Sequence, residues 1–201
     1  MIPVALQPEP ATFEQEVRRP GRQFLRRVRN PTDSQFKGQE HWRKALPALR
    51  IAYREICAYC ACWLPFDQGT LDHFEPKSYA PMLAYEWSNF RLAQEKINAA
   101  KGNSRGILDP CHIDAGWFVL DLSSVFVRPG SGLASAVEEA VTTTIKILGL
   151  NSNALVRTRY SVLKLYSEGT VPMEFLEDKY PFIAIELQRE GMAEAIKGTV
   201  R

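Results

Sequence analysis

The segment from Cys57 to Pro110 constrains the fold most, because Gly, Pro, Asp and Asn punctuate it so often that its pieces stay short. Neither a long helix nor a broad sheet fits between such breaks. The flanks differ. The first ten residues carry three prolines and read as an extended arm. Thr12 to Arg29 reads as a helix interrupted at Pro20-Gly21, Asn30-Pro31-Thr32-Asp33 as a break, and Gln39 to Ile56 as a second helix bent or split at Pro47. Beyond the punctuated segment, Trp117 to Val127 has the pattern of a hairpin turning at Ser123-Ser124. Three further helices are expected: Ala134 to Leu148, stopped by Gly149; Ala154 to Tyr166, capped by Asn151, Ser152 or Asn153; and Pro181 to Lys197. The expected class is α+β: a small mixed core between N-terminal and C-terminal helices. Residues 1–56 form the basic helical part, 57–110 the core and 111–201 a hairpin plus helices, all in one compact unit.

With 201 residues, 45% apolar and 24% charged, the chain has ordinary globular composition and can bury a core without disulfides. No apolar run approaches the roughly 18–20 residues of a membrane span. The N-terminus lacks the basic start and apolar stretch of a secretory signal, so the expected compartment is the cytoplasm. There, four cysteines are expected as thiols or metal ligands. The net charge of +2 conceals an asymmetry: residues 1–60 hold 11 Lys and Arg against 6 Asp and Glu, the remainder 14 against 17. Between Arg18 and Arg29 stand six arginines and no acid. Arg donates bidentately to phosphate, so Arg22, Arg26 and Arg29 are candidate nucleic-acid contacts. A solvated helix face is the competing reading.

Four short motifs lie between residues 57 and 103: Cys57-Ala58-Tyr59-Cys60, Leu71-Asp72-His73-Phe74-Glu75-Pro76-Lys77-Ser78, Glu86-Trp87-Ser88-Asn89-Phe90-Arg91-Leu92, and Asn98-Ala99-Ala100-Lys101-Gly102. A strand over Thr70 to Phe74, a returning strand over Phe90 to Leu92 and a helix over Gln94 to Lys101 would let Asp72 and Asn98 converge on one cation. A carboxylate and an amide oxygen suit Mg or Mn. His73 beside that ion can take a proton from water, and the cation can stabilise charge building on a phosphate. Taken singly, each residue has a plainer explanation. An Asp-His pair is more often structural, Asn89 can close a loop, Asn98 can sit on a helix surface, and Lys101-Gly102 can end a helix.

The joint arrangement resembles the ββα-metal motif of HNH endonucleases. That pattern has an optional Cys-x-x-Cys knuckle, an Asp-His pair followed by Pro, a mid-motif Asn, and a His or Asn near the start of a helix followed by Lys. Here these are Cys57 and Cys60, Asp72-His73 with Pro76, Asn89, Asn98 and Lys101. The strings DHFEPKS, WSNFRLA and INAAKG are most similar to HNH nuclease subunits of bacterial antiphage systems such as Septu. The resemblance implies that His73 is the general base, that Asp72 and Asn98 ligate one Mg or Mn ion, and that Asn89 braces the loop holding the His73 backbone. Arg91 and Lys101 join as candidate phosphate contacts. The implied activity is metal-dependent hydrolysis of nucleic-acid phosphodiesters in prokaryotic defence, with DNA favoured and RNA left open. A separate ATPase subunit is the implied partner, and no membrane is involved.

Many relatives carry a second Cys-x-x-Cys near the final helix of the motif. Here Gln94 and Ile97 stand in that register, so Cys57 and Cys60 supply only half of a usual zinc site. Cys62, Cys111 and His112 are the other candidates, but the favoured expectation is that Ile97 packs on the Cys-x-x-Cys turn in place of structural zinc. Two alternatives to an enzyme are a nucleic-acid- or partner-binding module with an inactive HNH core, and a structural zinc protein.

Overall fold

In a computed structural model, which describes residues 1–198, two antiparallel hairpins are set among helices, an α+β architecture. The helix α1 spans Arg19–Arg27 and α2 spans Leu46–Ala52. Strands β1 (Gly69–His73) and β2 (Phe90–Gln94) pair in the register His73 opposite Phe90 and Asp72 opposite Arg91. Helix α3 (Glu95–Lys101) leaves β2 without a loop. Strand β3 (Phe118–Asp121) pairs with β4 (Phe126–Pro129). Helices α4 (Ser135–Ile147), α5 (Asn153–Ser167), α6 (Met173–Lys179) and α7 (Pro181–Arg189) follow. No helix among the described residues is long and apolar enough to cross a membrane.

The chain divides into two units whose boundaries differ from the three segments read in the sequence. Residues 5–57 and 64–105 form one unit; residues 1–4, 58–63 and 106 onward form the other. The basic N-terminal part thus belongs with β1, β2 and α3. In that unit α2 and α3 both pack on β2. Phe90, Leu92 and Ala93 are accordingly all buried, although a two-stranded ribbon alone would leave one face wet.

Pro20-Gly21 does not break the first helix. A wide π-helical turn over Glu14–Arg18 runs directly into α1, and Pro20 sits in the first turn of α1, where a missing N–H costs least. Gly21 is there for space: a Cβ would overlap the ring of Tyr85. Pro47 likewise lies at the start of α2, after a 3-10 turn over His41–Ala45, and that helix ends at Ala52, short of the expected Ile56. Arg54 and Glu55 follow with positive φ, which stops the helix.

In the second unit the Asp121 carboxylate closes the β3–β4 turn by accepting from the Ser123 and Ser124 amides. Asn151 does not cap α5; its side chain pairs with the backbone N–H and C=O of Val127 at 2.8 and 2.9 Å, while Ser152 occupies the cap position. The buried Arg159 guanidinium donates to the carbonyls of Val125 and Leu150. The helix expected over Pro181 to Lys197 stops at Arg189, and Gly191 at φ +64° carries the turn that follows. Helix α6, absent from the sequence reading, packs against α7.

Gly21→Ala separates propensity from packing. Propensity alone favours Ala in a helix by about 1 kcal/mol. Overpacking against Tyr85, whose hydroxyl donates to the Gln39 carbonyl at 2.9 Å, costs about 1–3 kcal/mol. Urea denaturation of Gly21→Ala is expected to show net loss of stability; a gain would mean that Tyr85 yields freely.

Candidate functional site

The C-terminal end of β1 and the face of α3 border an open cleft of about 490 Å³, lined among others by Asp72, His73, Asn98, Arg43, Lys77 and Glu95. The two elements are locked together beneath it. Lys101, fully buried at the end of α3, donates to the Asp72 carboxylate at 2.9 Å and to the His73 carbonyl at 2.7 Å. Asn98 lies one turn earlier on the same side of α3 and lines the cleft, while the Lys101 side chain reaches Asp72 and His73 beneath it. A buried ion pair is costly to form, but removing one partner strands the other, typically at about 3–5 kcal/mol. Asp72 is therefore held in place from below.

His73 is fixed from three sides. Its ring meets Trp42 edge-on at 4.9 Å and Phe90 at 5.3 Å, and its Nε2 lies 2.9 Å from the Ala84 carbonyl oxygen. A carbonyl only accepts, so the neutral ring carries its proton on Nε2 and keeps the Nδ1 lone pair. Burial pushes the imidazole pKa down to about 4, against a smaller opposing effect of the Ala84 hydrogen bond. At neutral pH the ring is therefore an uncharged acceptor.

The carbonyl that orients His73 belongs to the β1–β2 connection, and Asn89 braces that connection. Its Oδ1 accepts from the Glu75 amide at 2.8 Å, its Nδ2 donates to the Glu75 and Leu83 carbonyls at 3.0 and 3.2 Å, and its own carbonyl accepts from the Phe74 amide. With its side chain buried, Asn89 cannot reach a substrate; it acts on the loop.

The candidate phosphate contacts sort differently from their sequence reading. Arg91 and Lys101 are internal. The Arg91 guanidinium donates to the Ser88 and Phe90 carbonyls and lies over the Phe74 ring, and Lys101 serves Asp72 and His73, so neither faces a ligand. Burial of this kind depends on the tertiary fold, which no spacing reveals. Arg22 is exposed but paired with Glu86 at 2.9 Å, and Arg18 is held by Glu9, Glu14 and Glu86. Arg26 and Arg29 are exposed, have no acidic partner among the described residues, and line a separate groove of about 590 Å³ with Arg22, Leu25, Asn30 and Met82. The cations on the cleft itself are Arg43, outside the motifs, and Lys77, which lies within the DHFEPKS string but has no role in the motif. Arg43 is exposed, without an acidic partner among the described residues, and Lys77 pairs with exposed Asp33. Their only sequence signal is positive charge beside Trp42 and Pro76, too common to pick out.

Cys57, Cys60 and Cys62 are buried, and no cysteine among the described residues is in a disulfide. The Cys57 sulfur accepts from the Gln94 backbone amide at 3.4 Å, so the register expected for the knuckle is met by a backbone donor. Ile97 is also buried. No three His, Cys, Asp or Glu side chains gather as a metal-holding group among the described residues. At the cleft, the donors that fit a hard cation are the Asp72 carboxylate and the Asn98 amide, whose side chain has no hydrogen-bond partner among the described residues. A Mg-type ion commonly takes one or two protein oxygens and fills its remaining positions from water and phosphate, so this donor set fits one.

No protein-family model matches the chain, and no curated protein matches it.

The environment of His73 sets a pH dependence of stability. Its pKa lies below the ordinary 6.5, so below that pH the unfolded chain takes up the proton more readily than the folded one. Its contribution is full above pH 6.5 and is lost as pH falls through about 4. Urea titrations in EDTA at stepped pH should show a steeper acid loss for the wild type than for His73→Gln. Parallel curves would mean that His73 titrates normally.

Proposed function

We propose that this chain is a metal-dependent HNH-type endonuclease that hydrolyses nucleic-acid phosphodiester bonds, with DNA the favoured substrate. One observation carries the reading: an uncharged, oriented histidine, a buried carboxylate and an amide without a partner among the described residues border one cleft that two basic side chains also line. Each part matches a need of phosphodiester hydrolysis. His73 takes a proton from water through Nδ1 as the water oxygen bonds to phosphorus and one ester P–O bond breaks. Arg43 and Lys77 attract and orient the anionic backbone. Asp72 and Asn98 would hold a Mg or Mn ion, which when bound would stabilise charge on the phosphate and on the leaving oxygen. The sequence resemblance further suggests antiphage defence alongside a separate ATPase subunit.

A second reading is a nucleic-acid- or partner-binding module with an inactive core. The Lys101–Asp72 pair favours it, since a carboxylate already neutralised by lysine is a weaker ligand for a cation. Plasmid nicking decides between the two. The full chain should nick supercoiled plasmid with Mg or Mn and not with EDTA. His73→Ala should lose about 100-fold or more of that rate, the usual worth of a general base, while still binding DNA. Metal-independent nicking, or nicking unchanged in His73→Ala, would refute the assignment.

Arg43→Gln should weaken DNA binding at all sequences alike and reduce the salt dependence by about 0.9 log unit for one lost phosphate contact. Arg91→Gln should instead lower thermal stability, because it leaves buried carbonyls unpaired. If Arg43→Gln keeps the full salt slope, the backbone lies elsewhere.

A further inference from the structure

Resting on the nuclease reading, we propose that the cleft takes its divalent cation together with the substrate phosphodiester and holds it only weakly alone. The cause is Lys101. Asp72 is the one buried carboxylate on the cleft among the described residues, and the Lys101 ammonium sits 2.9 Å from it on the protein side. Among the lining residues, Arg43 and Lys77 balance Asp72 and Glu95. His73 adds no charge, Lys101 stands behind the wall and Asp33 pairs with Lys77, so the surrounding as a whole is close to neutral. A dication entering this site meets no net attraction. A phosphodiester meets Arg43, which has no acidic partner among the described residues, and it brings a negative charge and non-bridging oxygens to complete a coordination shell that Asp72 and Asn98 only begin. Lys101 also cannot leave easily: its side chain is fully buried and bonded to the His73 carbonyl as well as to Asp72. It is a positioning residue that fixes Asp72 for the ion and sets the order in which the ligands assemble. Such coupling is reciprocal, so the cation must tighten nucleic acid by the same factor as nucleic acid tightens the cation.

The test uses Mn as the probe ion and the full chain carrying His73→Ala, so that DNA is bound without being consumed. Mn binding is followed by electron paramagnetic resonance and equilibrium dialysis, with and without a short DNA duplex. Asp72→Asn in the same background subtracts ions held by DNA alone. The Asp72-dependent affinity for Mn is expected to rise about tenfold or more when duplex is added, within the usual span of coupled sites. Fluorescence anisotropy of labelled duplex should rise in affinity by the same factor when Mn is added. Lys101→Met should bind Mn without DNA more tightly than the parent. Should that variant fail to fold, the comparison with and without duplex decides alone. Equal Asp72-dependent Mn affinity with and without duplex, in a chain that nicks plasmid when His73 is present, overturns the coupling and leaves the nuclease reading standing. No Asp72-dependent Mn binding in any arm, together with no nicking, overturns both.

Discussion

The Lys101 ammonium holds the functional unit together. It is fully buried, and both groups it serves, the Asp72 carboxylate and the His73 carbonyl, lie at the end of β1. One side chain thereby fixes α3 against β1 at the point where the cleft opens. Apolar contacts from Ile97 and Leu92 add cohesion, but they are non-directional and do not choose a rotamer for Asp72. A buried, charge-assisted hydrogen bond does choose one, since alternative geometries would leave a charge without a partner.

A second clamp works from the other side. The connection between β1 and β2 carries no regular structure beyond two short 3-10 turns, over Pro81–Leu83 and Trp87–Asn89, so its shape rests on side chains. Asn89 ties it at Glu75 and Leu83, and the neighbouring Ala84 carbonyl receives the Nε2 proton of His73. The same hydrogen bond that orients the ring fixes its tautomer. Trp42 and Phe90 pack edge-to-face on the ring, and desolvation by burial, not a neighbouring charge, is the main cause of its low pKa.

Much of this unit was legible in the sequence because its signals are local. The β1–β2–α3 order follows from segments within about thirty residues of one another, and the loop-bracing place of Asn89 was implied by the motif resemblance. What was not legible depends on partners distant in sequence. Arg22 looks free in a run of arginines, yet Glu86, 64 residues away, claims it. Lys101 and Arg91 look like surface cations until the fold buries them. Pro20-Gly21 reads as a break, but the proline falls in a first turn and the glycine under Tyr85, where the pair supports the helix. Helix α6 is seven residues long and carries too little periodicity to stand out.

The position of α1 and the orientation of His73 are consequently not independent. Glu86, which receives Arg18 and Arg22 from the basic N-terminal stretch, lies two residues from Ala84 and three from Asn89 in the same connection. Met82, which lines the groove beside Arg26 and Arg29, precedes Leu83, where Asn89 donates. Displacing α1 would strain the loop through Glu86, and the loop would pass that strain to the carbonyl that holds Nε2. The arginines of this stretch therefore have two distinct physical duties. Arg18 and Arg22 fasten the helix to the loop through ion pairs, and this leaves Arg26 and Arg29 as the cations of the groove that lack an acidic partner among the described residues. A charge run that reads as uniform in the sequence is divided by the fold into a structural half and an available half.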